Sequence, residues 1–149
     1  RNNLIKMHSI VKVKYLQASP VAVDIIGRDG WLYYVEPGQN LWGGDPYTPS
    51  DRATMVEIAN AQDKVLRDNN IVYLHVTVPN KQTIYAENLP FFVSPRRKTS
   101  RLEQKSKLFN AKSTVPHVDL RSSLLVGKQK YPVYYKTDTH WNKYGSFLA

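Results

Sequence analysis

One stretch limits this 149-residue chain more than any other: Ile71-Val72-Tyr73-Leu74-His75-Val76-Thr77-Val78. It is a nearly continuous apolar run of β-favouring residues, the pattern of a strand buried on both faces of a parallel sheet. Pro79 stops it, because proline has no N–H to continue a ladder. A helical pattern stands directly before it. Pro49 and Ser50 supply a start signal, Met55, Ile58, Ala59, Gln62, Val65 and Leu66 recur on one face, and Asn69-Asn70 ends the segment. A helix followed by a two-face-buried strand is a piece of an α/β sheet.

The remaining segments extend that alternation. Val21 to Ile26 and Trp31 to Val35 have strand character and flank the turn Gly27-Arg28-Asp29-Gly30, which predicts a hairpin. Glu36 to Ser50, rich in Gly and Pro, predicts a long loop. Leu89-Pro90 and Ser94-Pro95 mark another irregular stretch. Thr99 to Lys112 has helical spacing, with Leu102, Leu108 and Phe109 inward. Val115 to Leu120 and Pro132 to Tyr135 are short strand candidates, Arg121 to Val126 a helical turn, and Asn142 to Ala149 the start of a helix. Arg1 to Gln17 mixes basic and apolar residues and fits a strand or a short helix. Hairpin, then helix–strand twice, then turn, strand and helix is the order of an α/β domain.

Composition excludes several classes. Hydrophobic residues at 42% and charged residues at 22% support a packed core rather than a disordered chain. No apolar run reaches the ~18 residues of a membrane span. No charged-then-apolar leader follows Arg1, so any signal peptide or anchor is expected outside these residues. The absence of cysteine removes disulfides, thiol catalysis and Cys-based zinc sites. Net charge is +9, which favours polyanions: nucleic acid, anionic headgroups or an acidic polysaccharide. The dense cluster Arg96-Arg97-Lys98, with Arg101, Lys105 and Lys107 after it, fits a solvated loop and helix face. No nucleic-acid-binding motif accompanies it, so nucleic acid is not an expected partner.

In open α/β sheets, ligands bind beyond the carboxyl ends of the strands. Two polar clusters fall there. Asn80-Lys81 follows the strand ending at Val78, and Asp138-Thr139-His140 follows the one ending at Tyr135. An imidazole titrates near ~6.5 and can take a proton from a hydroxyl. A carboxylate on its other nitrogen fixes the tautomer and stabilises the imidazolium. Asp138 and His140 have the chemistry for that pairing. The same triplet also suits a histidine that caps the next helix, or two ligands of a metal whose third comes from elsewhere. His8, His75 and His117 show no ligand spacing. Trp42 and Trp141 are candidates to stack on a sugar, with packing the alternative for Trp141, whereas Trp31 in the hairpin fits the core.

Four blocks together resemble the SGNH-type domain of the alginate O-acetyltransferase family, which modifies exopolysaccharides outside the cytoplasm. They are Ile25 to Tyr34 (IIGRDGWLYY), Val78 to Tyr85 (VPNKQTIY) with Leu89-Pro90, Val118 to Arg121 (VDLR), and Tyr134 to Asn142 (YYKTDTHWN) with Gly145. Their order spans nearly the whole chain. The resemblance implies an α/β, SGNH-like three-layer sandwich with a mainly parallel sheet, incomplete in this chain, plus an N-terminal β-hairpin, in a single domain over residues 1–149. It implies Asp138 and His140 as the catalytic pair, preceding a nucleophilic serine, and offers Asn80, Lys81 and Trp141 as substrate contacts, with loop fixing the alternative for the first two. The family's serine sits in a Gly-Asp-Ser block, and this sequence has none. A chain truncated before that block is therefore expected.

The implied function is O-acetyl transfer to hydroxyls of an exported polysaccharide, with no metal or cofactor, in the periplasm or another extracytoplasmic space. The partners would be the polysaccharide and an acetyl donor, for which a membrane-bound acyltransferase is the candidate supplier. An acetylesterase of the same fold and a noncatalytic polysaccharide-binding or scaffold module are the competing readings.

Overall fold

The computed structural model describes residues 1–15, 19, 24–34, 45–91, 93 and 99–149. Trp42, most of the Glu36 to Ser50 loop, Ser94-Pro95 and the Arg96-Arg97-Lys98 cluster lie outside the described residues. The N-terminal segment resolves as helix: α1 (Asn2–Ile10), continued by a π-helical turn at Val11–Tyr15.

The hairpin forms within the described residues, with Val21 to Val23 and Val35 of the expected strands outside them. β1 (Asp24–Ile26) pairs antiparallel with β2 (Leu32–Tyr34), with Ile26 opposite Leu32. The turn between them needs left-handed backbone at Asp29 (φ 53°) and Gly30 (φ 74°). An Asp-Gly pair adopts that conformation at little steric cost.

Helix α2 (Pro49–Asp68) begins at its proline, which occupies the first helical position. Thr48 is the N-cap, accepting from the Asp51 N–H while Asp51 accepts from the Thr48 N–H. Its contact face is rotated from the apolar count. Met55, Ala59 and Leu66 turn inward, but Ile58 and Val65 stay more than half exposed. Asp63 takes the inward place, buried and accepting from the Thr114 hydroxyl. A hydrogen bond to the distant 113–116 loop, which leads into the strand at residues 117–119, thus helps decide the face.

β3 (His75–Thr77) pairs in parallel with β4 (His117–Asp119), in register His75–His117 and Thr77–Asp119. The connection carries α3 (Lys81–Ile84), a 3-10 turn (Ala86–Asn88) and α4 (Arg101–Lys112). Ser100 and Glu103 form the capping box of α4. The sequence predicts β3 buried on both faces; the structure covers one. Tyr73 packs beside Ala59, Phe109 and Val115 of the α2–α4 core, and His75 stacks on Phe109. The alternate residues Val72, Leu74, Val76 and Val78, with Val118 of β4, form an exposed apolar face.

A second core holds the chain's C-terminal half. Ile84, Tyr85, Leu120, Leu124, Val133 and Tyr134 are buried together, with Trp31, Trp141, Tyr144 and Leu148 packed on them. They join α3, α5 (Arg121–Gly127), the 132–141 segment and α6 (Lys143–Leu148). Pro132 to Tyr135 is not a strand. It forms a single antiparallel bridge, Tyr134 to Trp141. The Val133 carbonyl accepts from the Asn142 N–H as part of that bridge, but the Val133 N–H goes to the Tyr85 hydroxyl and is lost to any longer ladder.

Candidate active site

The Tyr134–Trp141 bridge closes the loop that carries the candidate pair. The Tyr135 N–H donates to the His140 carbonyl, and the Asn142 N–H to Val133. Asn142 then caps α6 by accepting from the Gly145 N–H, and its amide donates to the Pro132 carbonyl. Trp141 lies half-buried against the second core, so packing accounts for its ring.

Inside this loop Asp138 folds back on His140. Its Oδ1 accepts from the His140 N–H at 2.8 Å and lies 2.6 Å from His140 Nδ1. The His140 backbone N–H, and then its ring, hold the Asp138 carboxyl below the usual range. An ionised carboxylate only accepts, so Nδ1 is the donor in this contact, and in the neutral ring Nε2 then keeps its lone pair. That tautomer is the one a general base needs. The side chains are 80% and 56% exposed for His140 and Asp138, and Nε2 is bonded to no described residue. The Thr139 hydroxyl approaches Nδ1, the nitrogen already engaged by Asp138, at 3.5 Å.

Lys81 lies beneath the same loop and is buried, 3% exposed. Its ammonium donates to the carbonyls of Leu32 (2.7 Å), Lys136 (2.8 Å) and Asp138 (3.1 Å). An ammonium has three protons, and all are taken. Of the two roles open to Lys81 in the sequence, loop fixing is the one these three hydrogen bonds suit. Burial lowers its pKa to about 8, opposed by the negative charge of Asp138. The rings of Trp31 and Tyr33 lie 4.9 Å and 5.3 Å from the ammonium. Asn80, one residue earlier, is exposed at the start of α3, and its side chain does not cap that helix.

One cluster at the carboxyl end of β4 has no role assigned by sequence reasoning. Arg121 donates from Nε and Nη2 to the Asp119 carboxylate and pairs with Glu103, while the Ser106 hydroxyl donates to Asp119 Oδ2 at 2.6 Å. Burial alone would raise the Asp119 pKa, but these hydrogen bonds outweigh it and bring it to about 2. The signal was the D-x-R spacing at a strand end. The other histidines are placed structurally. His117 bonds Thr77 and Asn110, His75 stacks, and His8 lies exposed on α1. Among the described residues no group of three His, Asp or Glu is placed to hold a metal ion, so the Asp-x-His pair gains no third ligand there.

The hairpin, the parallel pair and the loop with its Asp–His pair together define an SGNH-like α/β fold. Solved structures share it. The O-acetyltransferase domain of Pseudomonas putida AlgJ matches with a TM-score of 0.59 at 21% identity, over 84% of this chain and 43% of that one. Bacillus cereus PatB1 matches with a TM-score of 0.54 at 22% identity, over 84% and 39%. Residues 25–149 match the family described as "SGNH hydrolase-like domain, acetyltransferase AlgX", and the chain belongs to that family. A curated relative, the probable alginate O-acetylase AlgJ of Pseudomonas syringae pv. tomato, is 27% identical over 125 residues. The match takes in 84% of this chain and 31% of that protein, so the chain spans about a third of the relative's length.

Proposed function

We propose that this chain supplies the general base and its orienting carboxylate to an SGNH-type O-acetyltransferase acting on an exported polysaccharide. The observation that carries the reading is the 2.6 Å contact between Asp138 Oδ1 and His140 Nδ1, which leaves Nε2 as the proton acceptor. Family membership supplies the reaction class. The nucleophile in this reading is a serine of a Gly-Asp-Ser block beyond these 149 residues, in a domain of which this chain is one part. The exposed apolar face of β3 and β4 supports that, because a parallel pair is stable when layers cover both its faces.

In the first step the serine hydroxyl gives its proton to His140 Nε2 as its oxygen bonds to the acetyl carbonyl carbon. The tetrahedral intermediate collapses, the donor's leaving oxygen takes the proton back, and an acetyl-serine remains. A sugar hydroxyl then repeats the sequence, losing its proton to Nε2 and accepting the acetyl group. Asp138 stabilises the imidazolium in both halves. Asn80, exposed at the carboxyl end of β3, is the candidate contact to substrate. An extracytoplasmic, periplasmic location follows from an exported substrate. The acetyl donor would come from a membrane-bound acyltransferase. Among the described residues no helix is long and apolar enough to cross a membrane.

The test is acetyl transfer by the full-length protein. His140→Ala should abolish transfer from an activated acetyl ester to an acceptor glycan, and undiminished transfer in that variant would remove His140 from the mechanism. Running the assay with and without glycan separates transferase from esterase, since an esterase releases acetate equally fast in both.

A further inference from the structure

Lys81 is the single fully buried lysine among the described residues. No carboxylate of those residues forms an ion pair with it; three backbone carbonyls take that place. Removing an ammonium from water is costly unless its protons are satisfied. Here they are satisfied by two chain segments about a hundred residues apart. Leu32 belongs to β2, and Lys136 and Asp138 belong to the loop that carries the candidate pair. The Leu32 N–H also donates to the Lys136 carbonyl at 3.0 Å, so a backbone hydrogen bond and the lysine link the same two segments.

The third carbonyl belongs to Asp138 itself. Asp138 is otherwise on the surface, its side chain 56% exposed, and the fold around it offers little packing to set its direction. Fixing its carbonyl fixes the peptide from which its carboxylate reaches back to His140. An exposed charged pair gains little from its own contact. An anchor on the backbone of one member reduces its freedom.

We infer that Lys81 is a positioning residue, which holds the Asp138–His140 pair in its bonded geometry by tying the 136–138 backbone to β2 and touches no substrate. This inference rests on the acetyltransferase reading of that pair. The aromatic faces of Trp31 and Tyr33 complete the site by standing close to the ammonium in place of water.

The test uses Lys81→Met and Lys81→Gln in the full-length protein. Methionine keeps an unbranched chain of similar length against Trp31 and Tyr33 and removes every donor. Glutamine retains two donors on a shorter chain. Two readouts are taken besides thermal stability: kcat and KM for acetyl transfer, and the tautomer populations of His140 from its imidazole 15N shifts. Lys81→Met should lower kcat at least 10-fold with KM changed less than 3-fold. It should also shift His140 from the Nδ1–H tautomer toward the mixture of a free imidazole. Lys81→Gln should fall between it and the parent. A stability loss in either folded variant with tautomers and kcat unchanged would reduce Lys81 to a structural residue and overturn the inference. If Lys81→Met does not fold, the Lys81→Gln tautomer result decides alone. Full transfer by His140→Ala would instead defeat the catalytic reading, while leaving the tautomer effect of Lys81 measurable.

Discussion

The Tyr85 hydroxyl accepts the backbone N–H of Val133 at 3.0 Å, with Tyr85 6% and Val133 0% exposed. It ties the end of α3 to the segment that leads into the Asp138–His140 loop. Burial raises the Tyr85 pKa, so the hydroxyl stays neutral across the physiological range. Tyr85→Phe keeps the ring and leaves a buried N–H without an acceptor. The expected loss is about 1–3 kcal/mol, seen as a lower urea midpoint at unchanged slope. Tyr131→Phe, at a residue 57% exposed, is the control and should move the midpoint little.

Gly145 sits buried inside α6, where alanine would ordinarily favour the helix by about 1 kcal/mol. Here a Cβ would collide with the Val133 carbonyl oxygen and press on Trp141. The colliding atom is backbone and already accepts the Asn142 N–H, so it has no rotamer to escape into. Gly145→Ala should therefore destabilise, by about 1–3 kcal/mol as for other overpacked sites. A thermal melt at or above that of the parent would show that α6 can shift away.

Local signals carried much of this fold. The Asp-Gly turn gave the hairpin, and Pro49 marked the first residue of α2. What the sequence hid was set by partners distant along the chain. Ile58 and Val65 have the right period for the inner face of α2, yet Asp63 wins the place through Thr114. Val133 and Tyr134 have strand character, yet the Tyr85 hydroxyl takes the Val133 N–H that would extend a ladder. The Asp-x-His pair was legible because both members lie two residues apart. The partners of Lys81 were not, because they are backbone carbonyls at residues 32, 136 and 138, and carbonyls leave no trace in residue type.

Acid stability should depend on Asp119. Its folded pKa, about 2, lies below the unfolded value of ~3.9. The unfolded chain therefore binds this proton more readily than the folded one. The stabilisation is complete above about pH 4 and fades as pH falls toward 2. With solvent screening allowed for, it is worth about 1–2 kcal/mol. Arg121→Gln removes the main donors and should flatten this part of the stability profile, measured by urea unfolding from pH 5 down to pH 2. An unaltered profile would show that Ser106 and the backbone hold the carboxylate without Arg121.

Asp138→Asn separates function from stability. The pair is exposed on both sides, and such pairs contribute between about 0 and 1 kcal/mol. The variant should thus unfold within about 0.5 kcal/mol of the parent. Its chemistry should change far more. An amide can place its N–H toward His140 Nδ1, and the ring then carries its proton on Nε2, where the nucleophile needs an acceptor. Loss of a carboxylate in this position lowers turnover by about 10⁴-fold in a serine protease. A fall of that order in kcat for acetyl transfer by the full-length protein, with the melting temperature preserved, is the expected result. A fall of less than about 10-fold would mean that Asp138 caps the His140 backbone and leaves its tautomer to another group.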